Sequence, residues 1–206
     1  MPIVSSTVLD TKFGKFHVAY FQLGAESCVV LWRGDVKNKS PLVRVHSSCL
    51  FSESFSSTDC DCKLQLAGAM RKIAQDGVGL IVYQYMEGRG HGLAKKIKAM
   101  ETERLLGYDT VQAFKHLKLD LDPRNYRVAV AAMHALGINR NIRLMCNNYR
   151  KKAQISAGGF TVTEHVTLKY PLNLKVRKYL EVKKRKLGHK IMTLDDDTAA
   201  VAKKNR

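Results

Sequence analysis

The sequence lacks any apolar run long enough to cross a membrane, and the longest, residues 79–83, suits a buried strand. Residues 1–16 also lack the basic start and apolar block of a secretory signal. We therefore expect a cytoplasmic protein without a membrane partner. No internal repeat and no linker divides the 206 residues, a length that suffices for one domain with its own core.

Acidic residues are few, with 18 Asp and Glu against 35 Lys and Arg, which gives a net charge of +17. This imbalance predicts an anionic partner, either a small polyphosphate or a nucleic acid. Much of the excess lies in residues 175–190 and 203–206. Because a solvated helix face and a tail also explain such runs, charge alone does not name the ligand.

The cysteine count is odd, at five, and the spacing is uneven, which argues against a disulfide framework. Three of them form a cluster: Cys49, Cys60 and Cys62. Three protein ligands leave the fourth tetrahedral position of zinc open, as in catalytic sites, where the pKa of water falls from about 15.7 to about 7. Spacing leaves two alternatives open, a structural zinc site completed by His46 or His91 and three unrelated core thiols. Cys28, in an apolar run, is typical of a core thiol.

The apolar patterns predict an α+β (mixed α/β) fold, a single domain with a mixed β-sheet flanked by helices. The expected strands are residues 13–22, 27–34, 42–47, 79–85, 142–146 and 160–166. The expected helices are residues 62–77, 93–105, 110–117, 126–136 and 174–187. Residues 192–206 are typical of a flexible tail, so we expect the domain to occupy residues 1–191.

Six short motifs occur in order along the chain. They are RVHSSC (44–49), DCDCKLQL (59–66), EGRGHGL (87–93), GYDTVQA (107–113), LDPRNY (121–126) and NNYRK (147–151). Together they resemble the GTP cyclohydrolase II family, and the likeness extends over residues 12–191. The resemblance implies a homodimer that uses Zn²⁺ and Mg²⁺ to convert GTP to a diamino-ribosylamino-pyrimidinone phosphate. Formate and pyrophosphate are released, and the reaction begins riboflavin synthesis.

The resemblance also implies roles for individual residues. The zinc ligands fall on Cys49, Cys60 and Cys62, the proton acceptor on Asp122, and the residue treated as a nucleophile on Arg124. The implied GTP-binding positions are Arg44, Val45, His46, Ser47, Ser48, Gln65, Glu87, Gly88, Arg89, Thr110, Cys146 and Lys151. Glu87 is suited to accept hydrogen bonds from the N–H edge of guanine, and the cationic side chains are suited to hold the triphosphate.

The role implied for Arg124 conflicts with its chemistry, because a guanidinium stays protonated and is a poor nucleophile. It could attack only if Asp122 took its proton in a dry site. We therefore interpret Arg124 as a group that stabilises phosphoryl charge. From the residues alone, Asp122, Pro123 and Arg124 also fit the start of a helix, with Asp as N-cap and Pro in the first position.

The sequence departs from the family pattern at three positions. Ser48 stands where Glu is usual, and Cys146 where Thr is usual. The active-site Tyr is replaced by Met100, or by Glu101 if a one-residue insertion lies earlier. Neither supplies a phenol hydroxyl, so we hypothesise that Met100 determines the product. Ring opening is spared while formate release is slowed, and the enzyme stops at least partly at the formamidopyrimidine nucleotide. Full activity is the alternative, and a divergent member could also serve a secondary pathway.

A hypothesis of another class is a basic zinc-containing module that binds nucleic acid without catalysis. The charge of +17 favours it. Against it, the basic segment lacks interleaved aromatics beyond Tyr179, and no zinc-finger His pair is present. GTP, rather than nucleic acid, is therefore the expected partner. A catalytically inactive homologue that only binds GTP is disfavoured by the intact cysteines, Asp122 and Arg124.

Overall fold

The computed structural model describes residues 3–146, 148–168 and 185–186. Within these residues, seven strands form one mixed sheet in the order β1-β2-β3-β5-β4-β6-β7. The strands are β1 (Ile3–Thr11), β2 (Gly14–Leu23), β3 (Glu26–Arg33), β4 (Leu42–Ser47), β5 (Gly79–Gln84), β6 (Asn141–Leu144) and β7 (Thr161–His165). The helices are α1 (Leu50–Glu53), α2 (Cys62–Asp76), α3 (Leu93–Leu106), α4 (Thr110–His116), α5 (Arg127–Leu136) and α6 (Tyr149–Ala157), with a 3₁₀ turn over Glu87–Gly90.

The sheet has an antiparallel half and a parallel half. Strands β1, β2, β3 and β5 pair antiparallel, and a two-residue turn at Gly24, whose φ is +61°, joins β2 to β3. Strand β4 runs parallel to β5 and β6, and β6 runs parallel to β7. The carboxyl ends of β4, β5 and β6 therefore meet at one edge of the sheet, where open α/β sheets usually bind ligands.

The alternation of side chains along the central strands divides the core between the two faces of the sheet. Val43 and Val45 of β4 belong to the apolar cluster that α5 covers. Leu42, two positions before Arg44, belongs to a second cluster that includes Ile73 of α2. Because residues i and i+2 share one face of a strand, Arg44 and His46 point to the α2 side of the sheet. Two polar side chains are thus buried next to an apolar core.

The predicted fold class is confirmed, and most of the expected elements are present within a few residues of their predicted bounds. Three elements were not predicted: the edge strand β1, the short helix α1 and the helix α6. The helix-start interpretation of Asp122 is wrong, because α5 begins at Arg127 with Tyr126 as its N-cap.

The predicted helix 174–187, apart from Arg185 and Lys186, and the predicted tail 192–206 lie outside the described residues. None of the helices in the described residues combines the length and apolarity that spanning a membrane requires.

Candidate functional site

A pocket of about 420 Å³ opens where β4, β5 and β6 end, and the segments that follow these strands line it. Every residue that the resemblance implies as a zinc ligand, catalytic residue or GTP-binding residue lines this pocket, except Val45, and Met100 lines it as well. The side chain of Val45 lies fully buried in the core. Its carbonyl oxygen, however, accepts a hydrogen bond from Lys151 Nζ at 2.7 Å, so Val45 helps to position a side chain that lines the pocket.

The three clustered cysteines meet where two helices begin. Cys49 is the N-cap of α1, Cys62 is the first residue of α2, and Cys60 lies two residues before Cys62. Their sulfur atoms lie within 4.8 Å of one another, and the Sγ atoms of Cys49 and Cys60 are 3.6 Å apart. Sulfurs around a tetrahedral zinc ion, with Zn–S bonds of about 2.3 Å, lie about 3.8 Å apart. The donor set therefore fits zinc in both chemistry and spacing.

The histidines proposed as a fourth ligand are engaged elsewhere. His46 Nε2 lies 2.8 Å from Glu53 Oε1, and His91 Nε2 lies 2.8 Å from the carbonyl oxygen of Asp120. Across residues 3–146, 148–168 and 185–186, no other His, Cys, Asp or Glu joins the cluster of three sulfurs. This geometry favours an open fourth position over a closed structural site.

Proton sharing among the three thiols marks Cys49 as the sulfur that most readily ionises. Hydrogen bonds from Cys60 and Cys62 hold the pKa of Cys49 far below its usual range. The same contacts raise the pKa values of Cys60 and Cys62. Because thiols bind metals as thiolates, uptake of a metal ion at this cluster would release protons. Cys28 behaves differently, since burial raises its pKa to about 12, as expected of a core thiol.

Lys96, in the first turn of α3, is a pocket residue that lies outside the six sequence motifs. Its ammonium lies 3.2 Å from Cys49 Sγ and 2.7 Å from Glu87 Oε1. Burial acts to lower the pKa of Lys96, but the two acidic partners outweigh it and raise the pKa. Glu87 is fixed further by the backbone N–H of Leu50, which donates to its Oε2 at 2.8 Å. Lysines at positions 95, 96 and 98 of that helix resemble a solvated face, so sequence pattern alone does not distinguish Lys96 from its neighbours.

A group of cations lies on another wall of the pocket. Burial, with Arg44 and Arg124 nearby, lowers the pKa of Lys151 to about 7. The ammonium lies 5.0 Å from the centroid of the Tyr126 ring. The guanidinium of Arg44 donates to the carbonyl oxygen of Met145 at 3.0 Å and to the side chain of Gln65. These buried cations form a place where a polyphosphate would gain charge-assisted hydrogen bonds.

Asp122 and Arg124 form a bidentate ion pair. Arg124 Nε lies 2.7 Å from Asp122 Oδ1, and its NH2 group lies 2.7 Å from Oδ2. Burial acts to raise the pKa of Asp122, but the Arg124 guanidinium outweighs it and holds the pKa below its usual range. The side chain of Arg150 also fixes the main chain at Asp122, because its NH1 group donates to the Asp122 carbonyl oxygen at 2.9 Å. Asp122 is therefore an ionised carboxylate that orients Arg124.

The two candidates for the position of the missing Tyr are separated by the helix geometry. Met100 lines the pocket, together with Ala99 and Glu103 of the same helix. Glu101 is half-exposed and pairs with Arg104, at 2.6 Å between Oε1 and NH2. Met100 is therefore the α3 residue of this pair that can contact a ligand.

Comparison with known proteins decides the family. The family model described as "GTP cyclohydrolase II" matches residues 2–167. The chain belongs to the GTP cyclohydrolase II family. A "GTP cyclohydrolase-2" from Hahella chejuensis is 41% identical over 204 residues, which cover 98% of each chain. The predicted family membership is thus confirmed.

Longer relatives of the family match as well. The "Riboflavin biosynthesis protein RibBA" of Aquifex aeolicus is 43% identical over 190 residues, which cover 90% of this chain and 46% of that protein. The chain therefore spans about half the length of this relative and nearly all of the Hahella one. A solved two-domain 3,4-dihydroxy-2-butanone 4-phosphate synthase from A. baumannii, RibBX, aligns at 15% identity with a TM-score of 0.45, over 82% of this chain and 40% of that one.

Proposed function

We propose that this member of the GTP cyclohydrolase II family is a zinc-dependent hydrolase that opens the imidazole ring of GTP and releases pyrophosphate. The observation that carries the proposal is one pocket that combines three convergent thiols, a fixed carboxylate and a group of buried cations. These elements match the three parts of the substrate and its reaction, namely the ring carbon to be attacked, the purine edge and the triphosphate.

Glu87 is the residue that we assign to recognition of the base. A carboxylate accepts hydrogen bonds from the ring N–H and the exocyclic amine of guanine, whereas adenine lacks that ring N–H. The contacts from Lys96 and the Leu50 amide fix the carboxylate before the substrate arrives. Adenine, which lacks that ring N–H, cannot use the acceptor capacity that these contacts leave open, so a fixed carboxylate discriminates against it.

Arg44, Arg124 and Lys151 are the residues that we assign to the phosphates, with Mg²⁺ bound to the triphosphate. An arriving anion favours the charged form of Lys151, so binding raises its lowered pKa and takes up a proton. Arg124, held at both carboxylate oxygens by Asp122, is placed to stabilise charge that develops on a phosphoryl group. Asp122 is a weak proton acceptor in this ion pair, since its pKa is lowered.

The sulfur cluster fits a zinc ion, whose chemistry in a site with three protein ligands is the activation of water for hydrolysis. Cys49, Cys60 and Cys62 would hold it, and the pocket beside them would hold the guanine ring. The protein's contribution is to place the ring carbon between the two imidazole nitrogens next to the open side of this cluster.

Met100 is the residue that we assign to the choice between two products, with or without release of formate. A thioether neither donates a hydrogen bond nor transfers a proton, so the pocket wall at this position cannot assist the release of formate. The reaction therefore stops at least partly at the formamidopyrimidine nucleotide, and the remainder proceeds to the diamino-ribosylamino-pyrimidinone phosphate. Depending on that ratio, the enzyme supplies riboflavin synthesis or a secondary pathway in the cytoplasm.

We also infer a homodimer. Apolar side chains on β1 are exposed, among them Val4 and Val8, which share one face of the strand. In the described part of the chain, β1 pairs on one side alone, and such an edge favours association. Sedimentation equilibrium should give twice the 23.2 kDa chain mass, and Val4→Lys/Val8→Lys should shift the protein towards the monomer.

Mass analysis of the products formed from GTP with zinc and magnesium present tests the reaction. We expect pyrophosphate and a ring-opened nucleotide, about one zinc ion per chain, and loss of both zinc and turnover in Cys60→Ser. Intact GTP after incubation with the zinc-loaded protein would sink the proposal. Salt-sensitive binding of polynucleotides, without GTP turnover, would instead support the nucleic-acid module.

A further inference from the structure

The contacts of Lys96 join two parts of the pocket that chain order keeps apart. Its Nζ donates to Cys49 Sγ at 3.2 Å and to Glu87 Oε1 at 2.7 Å. The side chain is 18% exposed and that of Glu87 is 15% exposed, so water competes weakly for either contact. The Lys96 ammonium thus bridges a sulfur of the proposed metal site and the Glu87 carboxylate, which we assign to guanine recognition.

The surroundings of Lys96 hold the ammonium in one place. Its Nζ lies 4.8 Å from the centroid of the Phe51 ring, within the range of a cation–π contact. Gly88 lies against its stem, because a Cβ atom at Gly88 would come within 3.0 Å of Lys96 Cβ. Glu87 itself is anchored by the N–H groups of Leu50 and Gly88, at 2.8 and 3.1 Å. The bridge is therefore built from packed, mutually fixed groups.

The positive charge of Lys96 affects the charge balance of the proposed zinc site. Three thiolates exceed the charge of one divalent ion, so a zinc centre of this kind carries a net negative charge inside a partly buried pocket. A cation at hydrogen-bond distance from one sulfur offsets that charge and draws electron density away from the sulfur. Groups that touch metal ligands in this way typically change metal affinity or activity by about 10- to 100-fold when they are removed.

We propose that Lys96 is a positioning residue that acts on the zinc site through Cys49, while it holds Glu87 at a fixed distance from the same sulfur. This inference rests on the proposed zinc-dependent function. It adds a residue that neither the motif resemblance nor the charge of the sequence identified. Its ammonium stabilises the tri-thiolate site and weakens electron donation from Cys49, which keeps the bound metal more electrophilic.

Zinc affinity, measured by competition with a chromophoric chelator on the full-length chain, is the first test. Lys96→Met keeps the length and packing of the stem but removes the charge, so we expect zinc to bind about 10-fold more weakly or worse. Lys96→Arg keeps a charged donor and should recover most of the affinity. Lys98→Met, on the exposed side of the same helix, should bind zinc as the wild type does.

The absorption spectrum of the Co²⁺-substituted protein is the second test. A change in packing alone would leave its thiolate-to-metal charge-transfer band unshifted. Loss of the N–H···S hydrogen bond makes the Cys49 sulfur more electron-rich, so the thiolate-to-Co²⁺ charge-transfer band should shift to longer wavelength in Lys96→Met. If Lys96→Met does not fold, Lys96→Leu, which also lacks both charge and donor, serves as the neutral variant for both measurements.

Wild-type zinc affinity and an unmoved cobalt band in the neutral variant overturn the inference and leave the proposed function standing. A wild-type protein that binds neither Zn²⁺ nor Co²⁺ overturns the proposed function itself. The two failures are therefore distinguishable by the behaviour of the wild type.

Discussion

Met100 lines the pocket together with the cysteine cluster, whereas its neighbour Glu101 points to solvent and pairs with Arg104. A hydroxyl introduced at position 100 would therefore reach a bound nucleotide, and one at position 101 would not. We expect the wild type to release less than one equivalent of formate per GTP consumed. Met100→Tyr should raise that yield, because a phenol can donate a hydrogen bond and a proton to the formamide.

Formate measured at complete consumption of GTP is the required quantity, with the residual nucleotide identified by mass. Glu101→Tyr is the matched control, and its formate yield should equal that of the wild type. One full equivalent from the wild-type enzyme would show that the loss of the Tyr has no chemical consequence.

Lys151 makes stability depend on pH in a definite direction. Its pKa is about 7 in the folded chain, because of burial, against about 10.4 for an unfolded lysine. Between these values the unfolded chain binds a proton that the folded chain does not, so this residue makes stability rise with pH, by at most about 1.4 kcal/mol per unit. Replacement by Met removes that dependence.

The stability of Lys151→Met relative to the wild type should therefore be most favourable at pH 7 or below and should decline towards pH 9. Urea unfolding at several pH values, on both proteins without nucleotide, gives this difference. Lys152→Met, one residue along the same helix, is the matched control for replacing a lysine of α6. A pH-independent difference for Lys151→Met would show that the buried ammonium keeps an ordinary pKa.

At the scale of the element, α4 owes its start to a reciprocal cap. The Asp109 carboxylate accepts hydrogen bonds from the N–H groups of Val111 and Gln112, at 2.9 and 3.0 Å, and the Gln112 side chain accepts from the Asp109 N–H at 2.9 Å. Asp109→Ala should lower the free energy of unfolding by about 1 kcal/mol. Asp109→Asn keeps an acceptor at the cap and should cost much less. Equal losses in the two variants would assign the effect to charge instead.

A strand or helix could be predicted from the sequence when its apolar residues showed clearly which side is buried. Strand β5 was predicted, because its continuous apolar run is buried on both sides. Strand β1 was missed, because all but the last of its residues are exposed and its apolar side chains do not alternate. Helix α6 was missed, because Asn148 resembled a turn residue, although its side chain caps the helix by accepting from Arg150 and Lys151.

The site was predictable for a different reason. Its six motifs are short continuous segments, three at the carboxyl ends of β4, β5 and β6 and three in loops or at helix starts, so each can be recognised from local sequence. Lys96 could not be found in this way, since its partners Cys49 and Glu87 are brought to it by tertiary packing. The sequence favoured Met100 over Glu101 at the position of the Tyr, but only the packing of α3 shows that Met100 lines the pocket while Glu101 pairs with Arg104.

At the scale of the whole molecule, the proposed metal site and the core are separate. The two large apolar clusters on the faces of the sheet include neither Cys49 nor Cys60 nor Cys62. The sulfurs instead join α1 to the start of α2. Zinc removal should therefore loosen this junction without unfolding the sheet.

We accordingly expect the zinc-free protein to keep its far-UV circular dichroism while its unfolding midpoint falls. A ligand that binds only the folded state stabilises it by about 2.7 kcal/mol at a free concentration 100 times its Kd, so the midpoint should rise with free zinc. Cys60→Ser should lose this zinc-dependent increment. Cys28→Ala should be less stable overall, because Cys28 lies in the core, yet it should keep the full increment. Global unfolding on chelation would mean that the ion holds the fold together, and an increment retained in Cys60→Ser would place the metal elsewhere.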